Sequence, residues 1–151
     1  MMKLLCICHA NICRSLMAQE FFKQLLPTEM VFSRGLYADP SLSVPAKVQK
    51  ALAKHNISIT EHTPTPLAGA DLQLADLIFC MEQAHEERLL DRYPQFTNKI
   101  WLITDFALEQ TEDLPDPIAL EGHHFEKYVD KLYQLCQKAA ERITNEFKLQ
   151  G

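Results

Sequence analysis

The chain has 151 residues, of which 47% are hydrophobic, and a formal net charge of −5, so it is long enough to bury one core and has no basic surface for nucleic acid. No apolar run is long enough to cross a membrane or to form the core of a signal peptide. The five cysteines follow no disulfide framework, which favours a cytoplasmic protein over a secreted one.

Short apolar strands alternate with helical patterns along residues 1–151, which predicts a single domain. The strands are expected at residues 3–7, 30–32, 75–81 and 99–103, and the helices at 15–26, 43–55, 82–92 and 124–148. Residues 60–67, with two prolines, are expected to form a loop. The apolar stripe of the last helix comprises Phe125, Val129, Leu132, Cys136, Ala139, Ile143 and Phe147. The alternation predicts an α/β fold, a four-stranded parallel sheet with helices on both faces.

The segment from Cys8 to Ser15, Cys-His-Ala-Asn-Ile-Cys-Arg-Ser, joins the first strand to the first helix. The first amides of a helix have no intrahelical partner and carry the positive end of its dipole, so a loop there can enclose an oxyanion such as phosphate. The same field favours the thiolate form of Cys8. Arg14 can hold two phosphoryl oxygens, and the Ser15 hydroxyl can donate to the sulfur. The sequence therefore predicts a phosphate loop after the first strand, with Cys8 as nucleophile.

The neighbouring cysteines have other expected roles. Cys6 lies within the strand and is expected in the core. Cys13 can form a protective disulfide with Cys8 under oxidising conditions, or it is a buried apolar thiol, and both interpretations stay open. A zinc site of Cys6, Cys8, His9 and Cys13 is disfavoured, because the spacing is uncommon and the strand cysteines would have to leave the core. No metal and no cofactor is predicted.

Two further residues suit phosphate ester chemistry. A loop that turns its amides inward needs a residue at positive φ, and Asn11 is among the few non-glycine residues that tolerate it. A phosphomonoester needs an acid to protonate its leaving oxygen, and the same carboxylate can then activate water. Asp116 is the candidate, because Pro115 and Pro117 restrict the backbone on both sides of it. Without the phosphate loop, this segment would be interpreted as an ordinary turn.

The phosphate loop resembles the signature Cys-x-Gly-Asn-Ile-Cys-Arg-Ser-Pro of the low-molecular-weight protein tyrosine phosphatases. Residues 114–117 resemble the loop that carries the acid of that family, and the resemblance covers nearly the whole chain in order. It implies catalysis by Cys8, Arg14 and Asp116. It implies substrate binding by His9, Ala10, Asn11, Ile12, Cys13 and Ser15, with Ser33 and His62 supporting Asn11. The expected substrate is a phosphotyrosine protein or a small phosphate ester, and the expected state a monomer or weak dimer.

Several positions depart from the family pattern. Ala10 replaces a glycine, so its backbone is either in an ordinary conformation or strained. Ile118 stands where the family has tyrosine, and Asp39 where an aromatic wall residue is expected, although Tyr37 is close enough to substitute. His9 is either an exposed loop residue or, when protonated, a positive group at the rim of the site.

Three other functions compete with tyrosine dephosphorylation. Ile12 disfavours phosphoarginine as substrate, because the phosphoarginine branch of the family carries threonine there. Thioredoxin-coupled arsenate reductases need further cysteines about seven residues apart near the end of the third strand, and here Cys80 is followed at that distance by Glu87. A non-catalytic regulator that binds phosphate or a phosphoprotein needs neither a nucleophile nor an acid, so their joint presence argues against it.

Overall fold

The sheet determines where the site lies. The structure is a computed structural model, and it describes residues 1–59 and 61–147. Within those residues four strands, β1 (Lys3–Cys8), β2 (Met30–Gly35), β3 (Leu77–Cys80) and β4 (Ile100–Leu102), form one parallel sheet in the order β2-β1-β3-β4. The predicted four-stranded parallel sheet is confirmed. Because β1 lies between β2 and β3, its carboxyl end opens into the crevice where such sheets bind ligands.

Helices cover both faces of this sheet, as predicted. They are α1 (Arg14–Leu25), α2 (Ala46–Ala53), α3 (Gly69–Leu74), α4 (Gln83–Arg92), α5 (Ile103–Leu108) and α6 (Gly122–Glu146). Side chains of β1 alternate between two cores: Leu4 and Cys6 pack with α1, α2, α5 and α6, whereas Leu5 and Ile7 pack with α3 and α4. None of the helices in the described ranges is long and apolar enough to cross a membrane.

Some predicted boundaries are wrong, and one of them has a local steric reason. The helix predicted at 43–55 is only Ala46–Ala53, because Pro45 is extended and disfavours helical backbone in the residue before it. The strand predicted at 99–103 ends at Leu102, because Ile103 already begins α5. The strand predicted at 30–32 continues to Gly35, since the whole segment pairs with β1.

The helices α3 and α5 were not predicted. Each has six residues, which is too short for a helical period to show in the sequence. The long helix α6 begins at Gly122, two residues before the prediction, and its apolar stripe is confirmed from Phe125 to Ile143. Phe147 is the exception, since it follows the helix and is 44% exposed. The predicted end at 148 lies outside the described residues.

The predicted loop at 60–67 runs beside the end of β2. Its described part pairs with Gly35, whose amide donates to the Thr65 carbonyl (2.9 Å) and whose carbonyl accepts from Leu67 (2.9 Å). A side chain at Gly35 would meet the His9 carbonyl at 2.9 Å, so only glycine permits this close approach. The pairing places Thr65 and His62 against the phosphate loop.

Candidate active site

The loop between β1 and α1 encloses a small cavity. Cys8 ends β1 and Arg14 begins α1. The cavity has a volume of about 90 Å³, several times what one water molecule needs, which is room for a phosphorus and its oxygens. It is lined by Cys8, Ala10, Ile12, Cys13, Arg14, Asp116 and Ile118. The structure therefore brings the predicted nucleophile, cation and acid to one place.

The sulfur of Cys8 receives hydrogen bonds from the loop around it. The amide nitrogens of Asn11 and Ser15 lie 3.3 Å and 3.4 Å from Sγ, and the Ser15 hydroxyl oxygen lies 2.9 Å from it. Donors that converge on one atom stabilise negative charge there. The arrangement is therefore suited to a thiolate.

Asn11 determines the direction of the Ser15 hydroxyl. The Thr65 amide donates to Asn11 Oδ1 (3.0 Å), which fixes the orientation of the side-chain amide. Its Nδ2 therefore donates to both Ser15 Oγ and Ser33 Oγ, each at 2.9 Å. Since Ser15 Oγ accepts from Asn11, its own proton is available to the Cys8 sulfur.

The backbone of Asn11 has the predicted left-handed conformation. Its φ is 60°, and His62 Nε2 donates to its carbonyl oxygen (2.7 Å). The predicted positive φ and the predicted contacts with Ser33 and His62 are confirmed. In the described ranges the non-glycine residues with positive φ are Asn11, Asn56 and Glu109. Ala10 thus has an ordinary conformation, and replacing the glycine does not strain the loop.

Arg14 is a buried cation that has partners on one side. Its Nη1 donates to Glu82 Oε2 (2.6 Å) and to the Leu114 carbonyl (2.8 Å). Among residues 1–59 and 61–147 its other guanidinium nitrogens have no hydrogen-bond partner, so they can donate to a phosphoryl group. Burial alone would lower the pKa of Arg14, but the hydrogen bond to Glu82 and the charge of Cys8 raise it overall.

Asp116 lies at the mouth of the cavity. Its side chain is exposed, and Oδ1 accepts from the Ile118 amide (3.0 Å), which begins a short helical turn at Pro117–Ala119. This bond orients the carboxylate as an N-cap does. Asp116 and Cys8 line the same cavity, although more than a hundred residues separate them in the sequence.

The segment of residues 114–120, here called the Asp116 loop, is held by several elements. Its first amide donates to the Met81 carbonyl at the end of β3 (2.8 Å). The carbonyl that precedes Asp116 accepts from the Tyr128 hydroxyl of α6 (2.7 Å). Lys47 of α2 donates to two carbonyls at the far end of the loop (2.5 and 2.8 Å). The carboxylate is therefore carried by a loop that three elements position.

The other cysteines differ chemically from the predicted nucleophile. Burial raises the pKa of Cys13 to about 12, and the charges of Cys8 and Asp116 contribute to the increase. Burial likewise raises the pKa of Cys6, which lies in the core as predicted. A disulfide between Cys8 and Cys13 stays a prediction. Within the described ranges no group of three His, Cys, Asp or Glu side chains could hold a metal ion.

Several residues that build this site were not predicted from the sequence. Glu82 follows β3, whose carboxyl end lies beside that of β1, and this adjacency was the one available signal for a partner of Arg14. Gln19 accepts from Ser33 (2.6 Å) and lies one helical turn beyond Ser15. The contacts of Lys47, Thr65 and Tyr128 connect residues that are distant in the sequence, and no local pattern indicates them.

On this fold, a phosphate-sized cavity that ends on a cysteine sulfur is the site of a cysteine-dependent phosphatase. Comparison with known proteins specifies the family. The family model described as low molecular weight phosphotyrosine protein phosphatase matches residues 3–149, and the chain belongs to that family.

Individual relatives agree with this membership. The probable low molecular weight protein-tyrosine-phosphatase EpsP of Ralstonia nicotianae is 32% identical over 129 residues, covering 85% of this chain and 87% of the relative. The protein-arginine-phosphatase of Bacillus subtilis is 24% identical over 146 residues, 94% of this chain and 97% of the relative. The crystal structure of a low molecular weight protein tyrosine phosphatase from T. tengcongensis has 28% identity and a TM-score of 0.86, covering 94% of this chain and 99% of that chain.

Proposed function

We propose that this protein hydrolyses phosphotyrosine in proteins through a phosphocysteine intermediate on Cys8. The observation that carries the proposal is the single cavity that Cys8, Arg14 and Asp116 line together. A binding module has no use for a nucleophile and an acid in one phosphate site. The joint lining therefore favours turnover over binding alone.

In the first step the Cys8 thiolate attacks phosphorus, and the bond between phosphorus and the tyrosine oxygen breaks. Asp116 gives its proton to that oxygen, so the product leaves as a neutral phenol. Arg14 and the loop amides bind the phosphoryl oxygens throughout, because a planar guanidinium and fixed N–H groups stay paired with them as the geometry changes.

In the second step water attacks the phosphocysteine, and Asp116, now a carboxylate, takes the proton of that water. The sulfur–phosphorus bond breaks, inorganic phosphate leaves, and Cys8 returns to the thiolate. The Ser15 hydroxyl, 2.9 Å from Sγ, stabilises the sulfur as it leaves. One carboxylate therefore serves as acid and then as base.

Phosphoarginine is the competing substrate, because a phosphatase of that specificity is among the relatives. Ile12 lines the cavity and offers no hydrogen-bond acceptor for the N–H groups of a guanidinium. Tyr37, which is 50% exposed and packs on His9 (4.8 Å between ring centroids), puts an aromatic side chain next to the phosphate loop, where it can contact a phenyl ring. Both features support tyrosine.

We further propose that the enzyme works in the cytoplasm as a monomer or weak dimer. The five cysteines are all free, which suits a reducing compartment. The loop, the arginine and the carboxylate of the candidate site all belong to one chain, so a second copy is not needed to complete it.

The test is a substrate panel with Cys8→Ser and Asp116→Ala beside the parent. Cys8→Ser is expected to abolish turnover. Asp116→Ala should slow hydrolysis of a phosphotyrosine peptide by about 100-fold or more, and slow p-nitrophenyl phosphate less, since nitrophenoxide leaves without a proton. Asp113→Ala removes a carboxylate three residues away, which accepts from the Gln83 amide, and should leave both rates nearly unchanged.

Other outcomes would contradict the proposal in distinct ways. Equal rates for Asp116→Ala and the parent would remove Asp116 from its role. Preferential hydrolysis of a phosphoarginine peptide would replace tyrosine as the substrate. If the reduced parent hydrolysed none of the phosphotyrosyl, phosphoarginyl and sugar phosphates, the protein would be a phosphate-binding regulator.

A further inference from the structure

Four side chains form a continuous row beside the phosphate loop, here called the rim cluster: His85, His9, Tyr37 and Arg88. The rings of His85 and His9 are stacked with centroids 6.2 Å apart, and those of His9 and Tyr37 lie 4.8 Å apart. The Arg88 guanidinium lies 4.9 Å from the Tyr37 ring centroid. The Tyr37 amide donates to the His9 carbonyl (2.8 Å), so the row is fixed to the residue that follows Cys8.

The cluster is cationic in an otherwise acidic chain. Within residues 1–59 and 61–147, Arg88 makes no salt bridge. The carboxylates whose charges act on His85 have other partners: Glu82 binds Arg14 (2.6 Å) and lies 3.7 Å from His85 Nε2, and Asp113 accepts from the first amide of α4 (2.8 Å). A positive charge therefore stands unneutralised at the rim, whereas the formal charge of the whole chain is −5.

Burial divides the cluster into a support and an open edge. The side chain of His85 is only 12% exposed, and its Nδ1 is buried without a partner among the described residues. Burial lowers the pKa of His85, with Arg14 and His9 adding to the decrease while Glu82 and Asp113 oppose it, so the neutral ring supports His9. His9, Tyr37 and Arg88 are exposed and available to a ligand.

We propose that the rim cluster binds the carboxylate of an Asp or Glu side chain next to the phosphorylated residue of a protein substrate. The inference rests on the proposed function and specifies its substrates. The cavity that receives the phosphoryl group is lined by none of the four rim-cluster residues, so peptide residues next to the phosphorylated one lie outside it, on the rim. A guanidinium stacked on a ring keeps its N–H edge free, and that edge fits a carboxylate.

The test compares two phosphotyrosine peptides that differ only in Glu or Gln beside the phosphotyrosine. The parent is expected to prefer the Glu peptide by about twofold to fivefold in kcat/KM, the size of an exposed ion pair, and the preference should weaken at high salt. Arg88→Gln should bring the ratio close to one. Arg92→Gln is the matched control, because Arg92 lies on the same helix and stacks on another ring, Tyr93 (5.6 Å), so it should keep the parent ratio.

Binding of both peptides to Cys8→Ser, measured by calorimetry, separates this inference from the proposed function. If the parent hydrolyses both peptides with equal kcat/KM, the proposed role of the rim cluster is wrong and the proposed phosphatase activity stands. If the parent shows no turnover, the proposed function fails, and the Kd values of the two peptides then test the rim cluster alone. Tighter binding of the Glu peptide that Arg88→Gln removes supports the inference. Equal Kd values for the two peptides overturn it. An equal loss of preference in Arg88→Gln and Arg92→Gln also overturns it, since only overall charge would then matter.

Discussion

At the level of single residues, Asn11 determines the conformation of the phosphate loop. Asn11 combines a left-handed backbone with buried side-chain bonds to Ser15, Ser33 and Thr65. These bonds stabilise a conformation that costs other residues about 1–2 kcal/mol. They also direct a proton to the nucleophilic sulfur. The residue therefore acts on both the shape of the loop and the state of the sulfur.

Asn11→Ala is expected to lower kcat/KM for p-nitrophenyl phosphate by at least about thirtyfold, a loss of roughly 2 kcal/mol of transition-state stabilisation. The physical reason is that the loop amides lose their alignment and the Ser15 hydroxyl loses its direction. Steady-state kinetics with the reduced protein, together with inhibition by inorganic phosphate, measure both effects.

Asn56→Ala provides the matched control for this prediction. Asn56 also has a positive φ, 62°, but it is exposed in the turn after α2. It should lose about 1 kcal/mol of folding stability and keep its activity. An Asn11→Ala enzyme with parent kinetics would show that the loop does not depend on this side chain.

Site residues that belong to the phosphate loop could be predicted from the local sequence. Site residues that the tertiary fold brings to the loop from distant segments could not. Cys8, Arg14 and the positive φ of Asn11 follow from a loop placed on a helix N-terminus. Thr65, by contrast, reaches Asn11 only because its segment pairs with Gly35, a consequence of the tertiary fold. Glu82 is intermediate, since parallel strand order would place it beside the loop once that order was known.

At the level of elements, the Asp116 loop has no regular structure of its own apart from a three-residue turn. Its position depends on α2, α6 and the end of β3. The Lys47 ammonium joins α2 to this loop, since it donates to the carbonyls of residues 118 and 120 and approaches Glu121 at 3.3 Å. The Lys47 side chain is only 19% exposed, and its bond to the Leu120 carbonyl is partly buried.

Lys47→Met is expected to slow hydrolysis of a phosphotyrosine peptide by about tenfold, roughly 1.4 kcal/mol, and of p-nitrophenyl phosphate by less. Both effects follow from a displaced acid, which matters most for a leaving group that needs a proton. In the Asp116→Ala background, Lys47→Met should add almost nothing, because the carboxylate that it positions is gone.

Lys50→Met is the control on the same helix, because Lys50 is exposed and, among the described residues, its side chain makes no hydrogen bond or salt bridge to the Asp116 loop. It should match the parent with both substrates. If Lys47→Met slowed both substrates equally, or its effect added fully to that of Asp116→Ala, then Lys47 would contribute to general stability rather than to the position of the acid.

Element length explains which elements could be predicted. The 25 residues of α6 form about seven helical turns, so the helical period of its apolar residues can be recognised in the sequence. The six residues of α5 contain less than two turns and continue directly from β4, so their apolar side chains, Ile103 and Phe106, were indistinguishable from a strand and its loop.

At the level of the whole molecule, the core contains thiols that remain protonated. Cys6, Cys80 and Cys136 are completely buried, and burial raises the pKa of each; Cys13 behaves similarly. Unfolded thiols ionise near pH 8.5. The native state therefore retains protons that the unfolded chain releases. Their contribution to stability is complete below about pH 8.5 and is lost as the pH rises from there toward the native pKa values.

The free energy of unfolding is expected to fall above pH 8.5 by roughly 1 kcal/mol per pH unit for each such thiol. Cys136→Ala removes one thiol and lowers the free energy of unfolding. Between pH 8.5 and 10 this loss of stability relative to the parent should shrink by roughly 1 kcal/mol per pH unit. Urea titrations under reducing conditions measure the difference in free energy of unfolding between the variant and the parent. Val129→Ala shortens a buried side chain of the same helix without a titrating group, and its deficit should stay constant with pH. A constant deficit for Cys136→Ala as well would mean that the core thiols do not set the alkaline limit of this fold.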